Sequence, residues 1–215
     1  IEAEGAAGSP FDITVGVVDD ANGTRFDIGD LVVPTVRRPP EASNKYFERN
    51  EPDMAPDDAY LERGIVSAHG YMAEYFTSPE QFLISIPDTL SETGFLIEPI
   101  SNAEKAIEHA YATRSAFSWN PESALVLGNG PLGLLTLAIL TDSDDFKHCY
   151  CLGRRDRPDQ TIDIIERLNA TYVNSRETPV PAVQETYEAM DFVCEATGYA
   201  PHAFETVQAL APNGV

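Results

Sequence analysis

Three glycines in the segment SALVLGNGPLG are the first feature of this chain that could do chemistry. They follow the short apolar run 124–127 at the spacing G-x-G-x-x-G, and the apolar segment 132–140 comes directly after them. A strand that passes through this spacing into a helix is typical of a dinucleotide site, because the helix N-terminus and the bare backbone can approach a pyrophosphate. A plain tight turn is the alternative. The predicted cofactor-binding turn consists of Gly128, Asn129, Gly130, Pro131, Leu132 and Gly133.

Two adjacent arginines indicate which dinucleotide the turn would bind. A second apolar segment, 149–152, ends in Gly153, and Arg154 and Arg155 follow. An NAD site usually has an acidic residue there, which binds the ribose 2′-hydroxyl. Guanidinium groups instead form bidentate, charge-assisted bonds with phosphate, so the pair favours a 2′-phosphate. We therefore predict NADP as the cofactor, with weaker binding of NAD; two ordinary surface arginines are the alternative.

The charge balance excludes some partners. The chain of 215 residues has 35 acidic and 14 basic residues, which gives a net charge of −21. Such a surface would repel a phosphate backbone, so no nucleic-acid partner is expected. Acidic residues dispersed over a chain with only Lys45, Lys105 and Lys147 as lysines indicate a halophilic source and a salt-dependent fold. An ordinary acidic protein is the alternative.

Cysteine usage and apolar run length indicate a cytoplasmic protein. Cys149, Cys151 and Cys194 are odd in number, lie in apolar segments and lack C-x-x-C spacing, so reduced core residues are expected rather than disulfides or a four-cysteine zinc site. No apolar run reaches the ~20 residues of a membrane span, and residues 1–10 do not look like a signal peptide. Membrane association is therefore not expected.

The second half of the chain alternates between predicted strands and helices, as a parallel, doubly wound α/β sheet requires. The predicted strands are 124–127, 149–152, 171–173 and 191–194, and the predicted helices are 132–140, 159–168, 182–189 and 201–210.

The first half is predicted to be mainly β structure. Runs at 13–18 and 31–33 predict an antiparallel β unit. The proline-rich segment 37–64 predicts a long surface lobe or loop, and the segments 73–77 and 81–86 predict further strands. A helix from Glu98-Pro99 to about Ser115 would connect the halves. We expect one domain at 1–118 and another at 119–215. Both ends look cut, which suggests a fragment or an incomplete gene model.

The order of these parts resembles the zinc-dependent medium-chain dehydrogenase/reductase family, and within it the archaeal glucose dehydrogenases. The similarity extends from about Val15 to the C-terminus. It rests on the segments VPTVRRP (33–39), LERGI (61–65), AHGYM (68–72), LIEPI (96–100), LGRRDRP (152–158) and DFVCEATG (191–198).

The resemblance implies an incomplete Rossmann sheet together with part of a GroES-like, mainly β catalytic domain. It also implies oxidation of an aldose at C1, with hydride transfer to NADP, a lactone as product and zinc as a Lewis acid. Glu98 corresponds to a metal ligand that would also contact the substrate, and Glu62 corresponds to a sugar-binding carboxylate, whereas His69 is expected to be structural. Thr197 and Gly198 would lie near the nicotinamide. The alternatives are a helix-terminal carboxylate for Glu98, a solvated loop residue for Glu62 and a plain turn for Thr197 and Gly198.

The chain also departs from the family pattern. Residues 11–14 read FDIT where a Gly-His-Glu run would supply a metal ligand, and no cysteine lies between Arg37 and Gly70, where relatives often bind structural zinc. One carboxylate cannot hold catalytic zinc. Catalytic residues therefore stay unassigned, and the chain as given could bind cofactor without oxidising sugar. The alternatives are a metal-independent medium-chain alcohol or quinone reductase and a non-catalytic NADP-binding module. The full-length protein is expected to be a homo-oligomer.

Overall fold

The chain divides after Glu98 into two units in a computed structural model that describes residues 14–40 and 43–215. The second unit is Pro99–Val215. This division lies twenty residues before the expected boundary at residue 118, because the connecting helix packs with the second unit. Ala110 belongs to the core of that unit, and Ile107 packs against it.

The first unit contains two small sheets. Strand β2 lies between β1 and β6 in an antiparallel sheet, and β4 pairs antiparallel with β3 and parallel with β5. The elements are β1 (Gly16–Val17), β2 (Leu31–Pro34), β3 (Arg37–Arg38), α1 (Lys45–Glu48), β4 (Leu61–Arg63), β5 (Ser67–Ala68) and β6 (Leu83–Ile86).

The expected antiparallel β unit is present in the described residues, although the predicted strand start at residue 13 lies outside them. The segment 37–64, expected to be a surface lobe or loop, contains β3, α1 and β4. The strand predicted at 73–77 was wrong, since no strand forms there. Its aromatic residues make no strand pairing: Phe76 packs edge-on against Tyr71, with ring centroids 4.8 Å apart, and Tyr75 is exposed.

The second unit is built around one parallel sheet in the order β10-β7-β8-β9. This order places β7 centrally, with the chain continuing to β8 on one side and returning as β10 on the other. The elements are α2 (Ile97–Arg114), β7 (Ser123–Leu127), α3 (Pro131–Asp142), β8 (His148–Gly153), α4 (Gln160–Arg167), β9 (Thr171–Asn174), α5 (Val183–Thr186), β10 (Phe192–Glu195) and α6 (Ala200–Glu205).

Core side chains cover both faces of this sheet, which confirms the predicted doubly wound fold. Every residue of β7 is buried, so alternate side chains enter different core clusters. Ala124 and Val126 pack with Leu137 of α3 and Ile165 of α4 on one face. On the other face the buried cluster comprises Leu125, Leu127, Leu152, Val173, Val180, Val183, Met190 and Ala209.

Two helices are shorter than predicted for a shared reason. The helix expected at 182–189 is only Val183–Thr186, and the one expected at 201–210 ends at Glu205, followed by a 3-10 turn. The amide of Met190 donates to the carbonyl of Ala209 at 2.8 Å, and the amide of Ala211 donates to the carbonyl of Met190 at 2.8 Å. These bonds place Met190 and Leu210 in an isolated parallel β-bridge, which a helix continuing through either residue could not form. Among the described residues, no helix is long and apolar enough to cross a bilayer.

All three cysteine thiols should be unreactive in the folded chain. They are free, as expected; Cys149 and Cys151 are buried and Cys194 is half-buried. Burial raises the pKa of the Cys149 thiol to about 11 and of the Cys151 thiol to about 12, and it also raises that of Cys194. The thiolate is the reactive form, so we expect iodoacetamide at pH 8 to label these residues only after denaturation, as measured by mass spectrometry. Rapid labelling of the folded chain would contradict this.

The same shifts determine how stability depends on pH. A raised thiol pKa means that above about pH 8.5 the unfolded cysteines ionise while the buried ones stay protonated. Burial of the protonated thiols therefore stabilises the fold fully below that pH, and this stabilisation is lost as the pH rises toward 12.

Candidate functional site

The glycine turn after β7 presents open backbone at the carboxyl edge of the sheet. Gly128 has a φ of +109°, and a Cβ there would lie 3.0 Å from the carbonyl oxygen of Ala196. Gly133 lets α3 approach the turn, since a Cβ at this position would lie 1.9 Å from the Gly128 oxygen. At Gly130, no atom lies within 4 Å of a Cβ position. The turn therefore agrees with the prediction made from the G-x-G-x-x-G spacing, and Gly130 is the glycine that faces open space.

Helix α3 begins directly at that open space. Gly130 is its N-cap and makes no side-chain capping bond, Pro131 is its first residue, and Leu132 is 43% exposed. The first N–H groups of a helix have no partners within it, and they carry the positive end of the helix dipole. Uncapped N–H groups beside an unobstructed backbone suit an anion such as a pyrophosphate.

Asn129 holds the turn against the neighbouring strand. Its side chain is buried, and its amide donates to Thr161 Oγ1 of α4 at 2.7 Å. The last residue of β8 is Gly153, where a Cβ would lie 2.6 Å from the Asn129 Oδ1 atom. Sequence analysis assigned Asn129 to cofactor binding, but its side chain is directed to Thr161.

Arg154 and Arg155 differ in their surroundings. The Nη1 atom of Arg155 lies 3.0 Å from Asp159 Oδ2 in an ion pair. Its backbone is also held, because its N–H donates to the Tyr172 hydroxyl at 2.9 Å and that hydroxyl donates to the Arg155 carbonyl at 2.8 Å. Arg154 is exposed, and within the described ranges its side chain has no hydrogen-bond or ion-pair partner.

Asp159 links Arg155 to the glycine turn. It is the N-cap of α4, where its Oδ1 atom accepts from the Thr161 amide at 2.9 Å and also from the Thr161 hydroxyl. The hydrogen bonds from Thr161 and Arg155 lower the pKa of Asp159 to about 2. Asp159 is therefore a carboxylate at any ordinary pH.

Carboxylates also neutralise the other arginines near this edge. Arg157 pairs with Glu166, and Arg176 lies 2.5 Å from Asp156. A cavity of about 380 Å³ lies at the ends of β8 and β9. Its lining residues are Arg155, Asp156, Arg157, Tyr172, Asn174, Glu177, Thr178 and Tyr187.

Thr197 and Gly198 lie at the opposite side of the same edge, after β10. A Cβ on Gly128 would lie 3.1 Å from Thr197 Cγ2, so the two turns are neighbours. The Glu195 carboxylate accepts from the Thr197 amide at 2.6 Å, from the Gly198 amide at 3.3 Å and from the Thr197 hydroxyl. Sequence analysis missed Glu195; an acidic residue ending a strand two positions before a threonine was the available signal. In open α/β sheets, ligands bind where the strand order reverses, here between β7 and β10.

In the first unit, Glu62 is an ion-paired residue of β4. Its Oε2 atom accepts from Arg37 Nε at 3.2 Å, and its side chain is only 16% exposed. The two residues are paired across β3 and β4, and the Arg37 guanidinium stacks over Tyr60 at 4.4 Å. The alternative of a solvated loop residue is therefore wrong. Sequence analysis did not identify Arg37 as its partner.

Glu98 lies in the first turn of α2 and is half-buried, a position where a carboxylate is stabilised by the helix dipole. His69 is exposed. In the part of the chain that the structure describes, no group of three or more His, Cys, Asp or Glu residues could hold a metal ion. These residues therefore do not form a zinc site by themselves.

Comparisons with known proteins extend these observations. The family model described as "Glucose dehydrogenase C-terminus" matches residues 91–215. The glucose 1-dehydrogenase of Haloferax mediterranei is 66% identical over 203 residues, which are 94% of this chain and 57% of that protein. Glucose 1-dehydrogenase 1 of Haloterrigena turkmenica is 64% identical, with 94% and 56% covered. The chain thus spans less than two thirds of these relatives.

Solved dehydrogenase structures also match this chain. The Haloferax mediterranei glucose dehydrogenase in complex with NADP, Zn and gluconolactone has a TM-score of 0.91 and 65% identity, covering 94% of this chain and 57% of that one. Galactitol-1-phosphate dehydrogenase from Escherichia coli has a TM-score of 0.72 and 18% identity, covering 93% and 56%, and indicates the fold alone.

Proposed function

Because the chain belongs to the glucose dehydrogenase family, we propose that it binds NADP at the crevice between β7 and β10 and serves the oxidation of an aldose at C1. The observation that carries the proposal is the uncapped start of α3 beside the open position at Gly130. There the pyrophosphate would accept hydrogen bonds from backbone N–H groups. NADP, when bound, supplies the hydride acceptor.

The two ends of the cofactor would lie on either side of this turn. Arg154 and Arg155 follow β8, the place that faces the ribose 2′ position in such sheets, and guanidinium groups there favour a 2′-phosphate. The loop with Thr197 and Gly198 would border the nicotinamide half. The Glu195 carboxylate binds the N–H groups of this loop, so it holds the loop in one conformation.

Glucose is the proposed substrate, and its lactone the product. The relative from Haloferax mediterranei is described in complex with gluconolactone, which supports an aldose as substrate. Glu62 would accept hydrogen bonds from sugar hydroxyl groups through Oε1, because only Oε2 is bonded to Arg37 within the described residues. Arg37 would hold that carboxylate in one orientation.

Zinc does not fit the described residues alone. Catalytic zinc requires about three protein ligands, and Glu98 is the one that the family resemblance assigns. We therefore propose that residues beyond those described supply the other ligands, and that the chain by itself binds cofactor. The lack of a three-ligand group in residues 14–40 and 43–215 favours, as a second candidate, a metal-independent medium-chain reductase. Strong alcohol or quinone turnover that resists chelators would support that candidate.

We also propose the compartment, the source and the association state of the protein. Three free thiols support a reducing, cytoplasmic compartment, and the net charge of −21 supports a halophilic source. A homo-oligomer is proposed for the full-length protein on the family resemblance alone.

Replacing both Arg154 and Arg155 by alanine tests the assignment of NADP. We expect NADP to lose about 1 to 3 kcal/mol of binding free energy per lost charged hydrogen bond, while NAD loses little. Isothermal titration calorimetry of both nucleotides measures the difference. The Arg167→Ala variant, which removes a charge from the last turn of α4, should change neither affinity. Equal losses for NADP and NAD in the double variant would refute the 2′-phosphate site.

A further inference from the structure

Three asparagines of this chain, Asn22, Asn129 and Asn213, are each followed by a glycine. The backbone nitrogen of the following residue can attack an asparagine at its side-chain carbonyl carbon, and a glycine hinders this approach least because it has no Cβ. The local sequence therefore makes the three sites similarly reactive. The structure gives the three pairs very different surroundings.

Asn22 and Gly23 form an exposed turn on which nothing is packed. The Thr24 N–H donates to the Ala21 carbonyl at 2.9 Å, and the two central residues have φ values of +45° and +74°, as in a type I′ turn. A Cβ on Gly23 would meet no atom within 4 Å. Among the described residues, the Gly23 N–H and the Asn22 side chain have no hydrogen-bond partner, and the Asn22 N–H donates to Asp20 Oδ1 at 2.9 Å. Opening this turn therefore disturbs no packed side chain.

The Asn129 side chain is held at both atoms of its amide. The residue is 7% exposed, and its Nδ2 atom donates to Thr161 Oγ1 at 2.7 Å. Its Oδ1 atom lies against Gly153, where a Cβ would be only 2.6 Å away. The side chain has to leave this packed position before the Gly130 nitrogen can reach it, which requires local unfolding at the edge of the parallel sheet. The fold therefore protects Asn129.

Asn213 is exposed, but the nitrogen that would attack it is already bonded. The Gly214 N–H donates to the Ala211 carbonyl at 2.9 Å, and the Gly214 carbonyl accepts from Arg114 Nη2 at 2.8 Å. A Cβ on Gly214 would lie 2.7 Å from the Met190 carbonyl oxygen, so this backbone is also closely packed. The Gly214 nitrogen cannot turn toward the Asn213 side chain until these contacts break.

We propose that Asn22 is a site of spontaneous modification in the folded protein, where it converts to aspartate and isoaspartate, and that the fold protects Asn129 and Asn213. The Gly23 nitrogen forms a bond to Asn22 Cγ, the bond between Cγ and Nδ2 breaks, and ammonia leaves with the proton that the nitrogen has lost. Water then opens the cyclic imide. Attack at Cγ gives aspartate, whereas attack at the main-chain carbonyl carbon gives isoaspartate. Water is the only co-reactant, and the inference is independent of the cofactor site.

The two products change the turn in different ways. Either product adds one negative charge to a net charge of −21, beside Asp19 and Asp20. In isoaspartate the main chain also runs through Cγ, and the additional backbone atom does not fit a type I′ turn. The loop stays anchored beyond the turn, because the Arg25 N–H donates to Glu80 Oε2 at 2.9 Å. We therefore expect the modified chain to remain folded.

Peptide mapping of the incubated chain tests the proposal. Trypsin cleaves after arginine and lysine, so the three pairs fall in separate peptides, 1–25, 115–147 and 177–215. The folded chain is incubated at pH 9 in concentrated KCl prepared with heavy-oxygen water, because the oxygen taken up from water marks deamidation that occurred during the incubation. We expect peptide 1–25 to deamidate at least about tenfold faster than the other two, since the free energy of local opening limits each rate. The rate should fall at pH 7, because the attacking nitrogen must lose its proton.

The unfolded chain and two variants are the controls. In guanidinium chloride at the same pH, the three rates should agree within about threefold, because no fixed contact then protects any pair. Asn22→Gly removes the amide and suits a turn with positive φ at both central positions, so its peptide 1–25 should not deamidate. This peptide contains no other asparagine or glutamine. The peptide from Asn22→Asp is the chromatographic standard for the aspartate product, from which isoaspartate elutes separately.

Three results would overturn the inference. The first is a folded chain in which Asn22 reacts no faster than Asn129 and Asn213. The second is a folded chain in which Asn22 stays intact while the unfolded chain reacts, because the turn would then be protective. The third is deamidation of peptide 1–25 in the Asn22→Gly variant, which would place the reaction at another residue.

Discussion

Alanine at position 133 should destabilise the second unit by about 3 kcal/mol or more, whereas alanine at position 130 should change its stability by less than about 0.5 kcal/mol. A Cβ at residue 133 would lie 1.9 Å from the Gly128 carbonyl oxygen and 2.9 Å from its carbon, both backbone atoms. Relief would require α3 to move away from β7, which would disrupt the buried contacts of Leu137 and Leu140. At Gly130 the added methyl group meets no atom within 4 Å.

The two glycine variants also separate stability from binding. Urea denaturation followed by circular dichroism measures the first quantity, and calorimetric titration with NADP measures the second. Gly130→Ala should fold normally but bind NADP more weakly, since its methyl group would occupy the space proposed for the pyrophosphate. A Gly133→Ala variant with unchanged stability would contradict the observed packing of α3 on the turn.

Transfer from about 2 M to about 0.1 M KCl should unfold the chain, because the screening length grows from below 3 Å to about 10 Å. The net charge of −21 then acts across the surface, and self-repulsion opposes the compact state. Circular dichroism at increasing KCl concentration should show a cooperative transition. Replacing the salt with sucrose, which favours compact states without screening charge, is the control and should protect less. A melting temperature that does not change with salt would contradict the expectation.

The parallel sheet could be predicted because β7 and β8 are encoded locally. An apolar run buried on both faces, followed by glycines, needs no distant information to be identified as a strand and turn. The helices after residues 182 and 200 were overestimated because a distant contact ends them: Met190 pairs with residues 209 and 211. A helical pattern in the sequence contains no trace of that pairing.

The sequence predicted which residues lie at the site better than it predicted the contacts between their side chains. Glycine spacing identified the turn, and the arginine pair identified the end of β8. The ion pair between Arg155 and Asp159 has the i, i+4 spacing that a helix would suggest, but both residues come before the first residue of α4. The bond between Asn129 and Thr161 joins residues 32 positions apart, and the pair of Arg37 and Glu62 joins residues 25 apart. Such partners are known only once the fold is known.

The strand order has a consequence for the order of folding. Gly128 and Cys151, which contact each other between β7 and β8, are 23 positions apart, whereas Ser123 and Asp191, which bond where β7 and β10 begin, are 68 apart. Closing the longer loop costs more chain entropy, so we expect β10 to dock after β7, α3 and β8 have assembled. The crevice between β7 and β10 does not exist until that last step. We therefore expect a nucleotide bound there to slow the unfolding rate and to leave the rate of refolding unchanged.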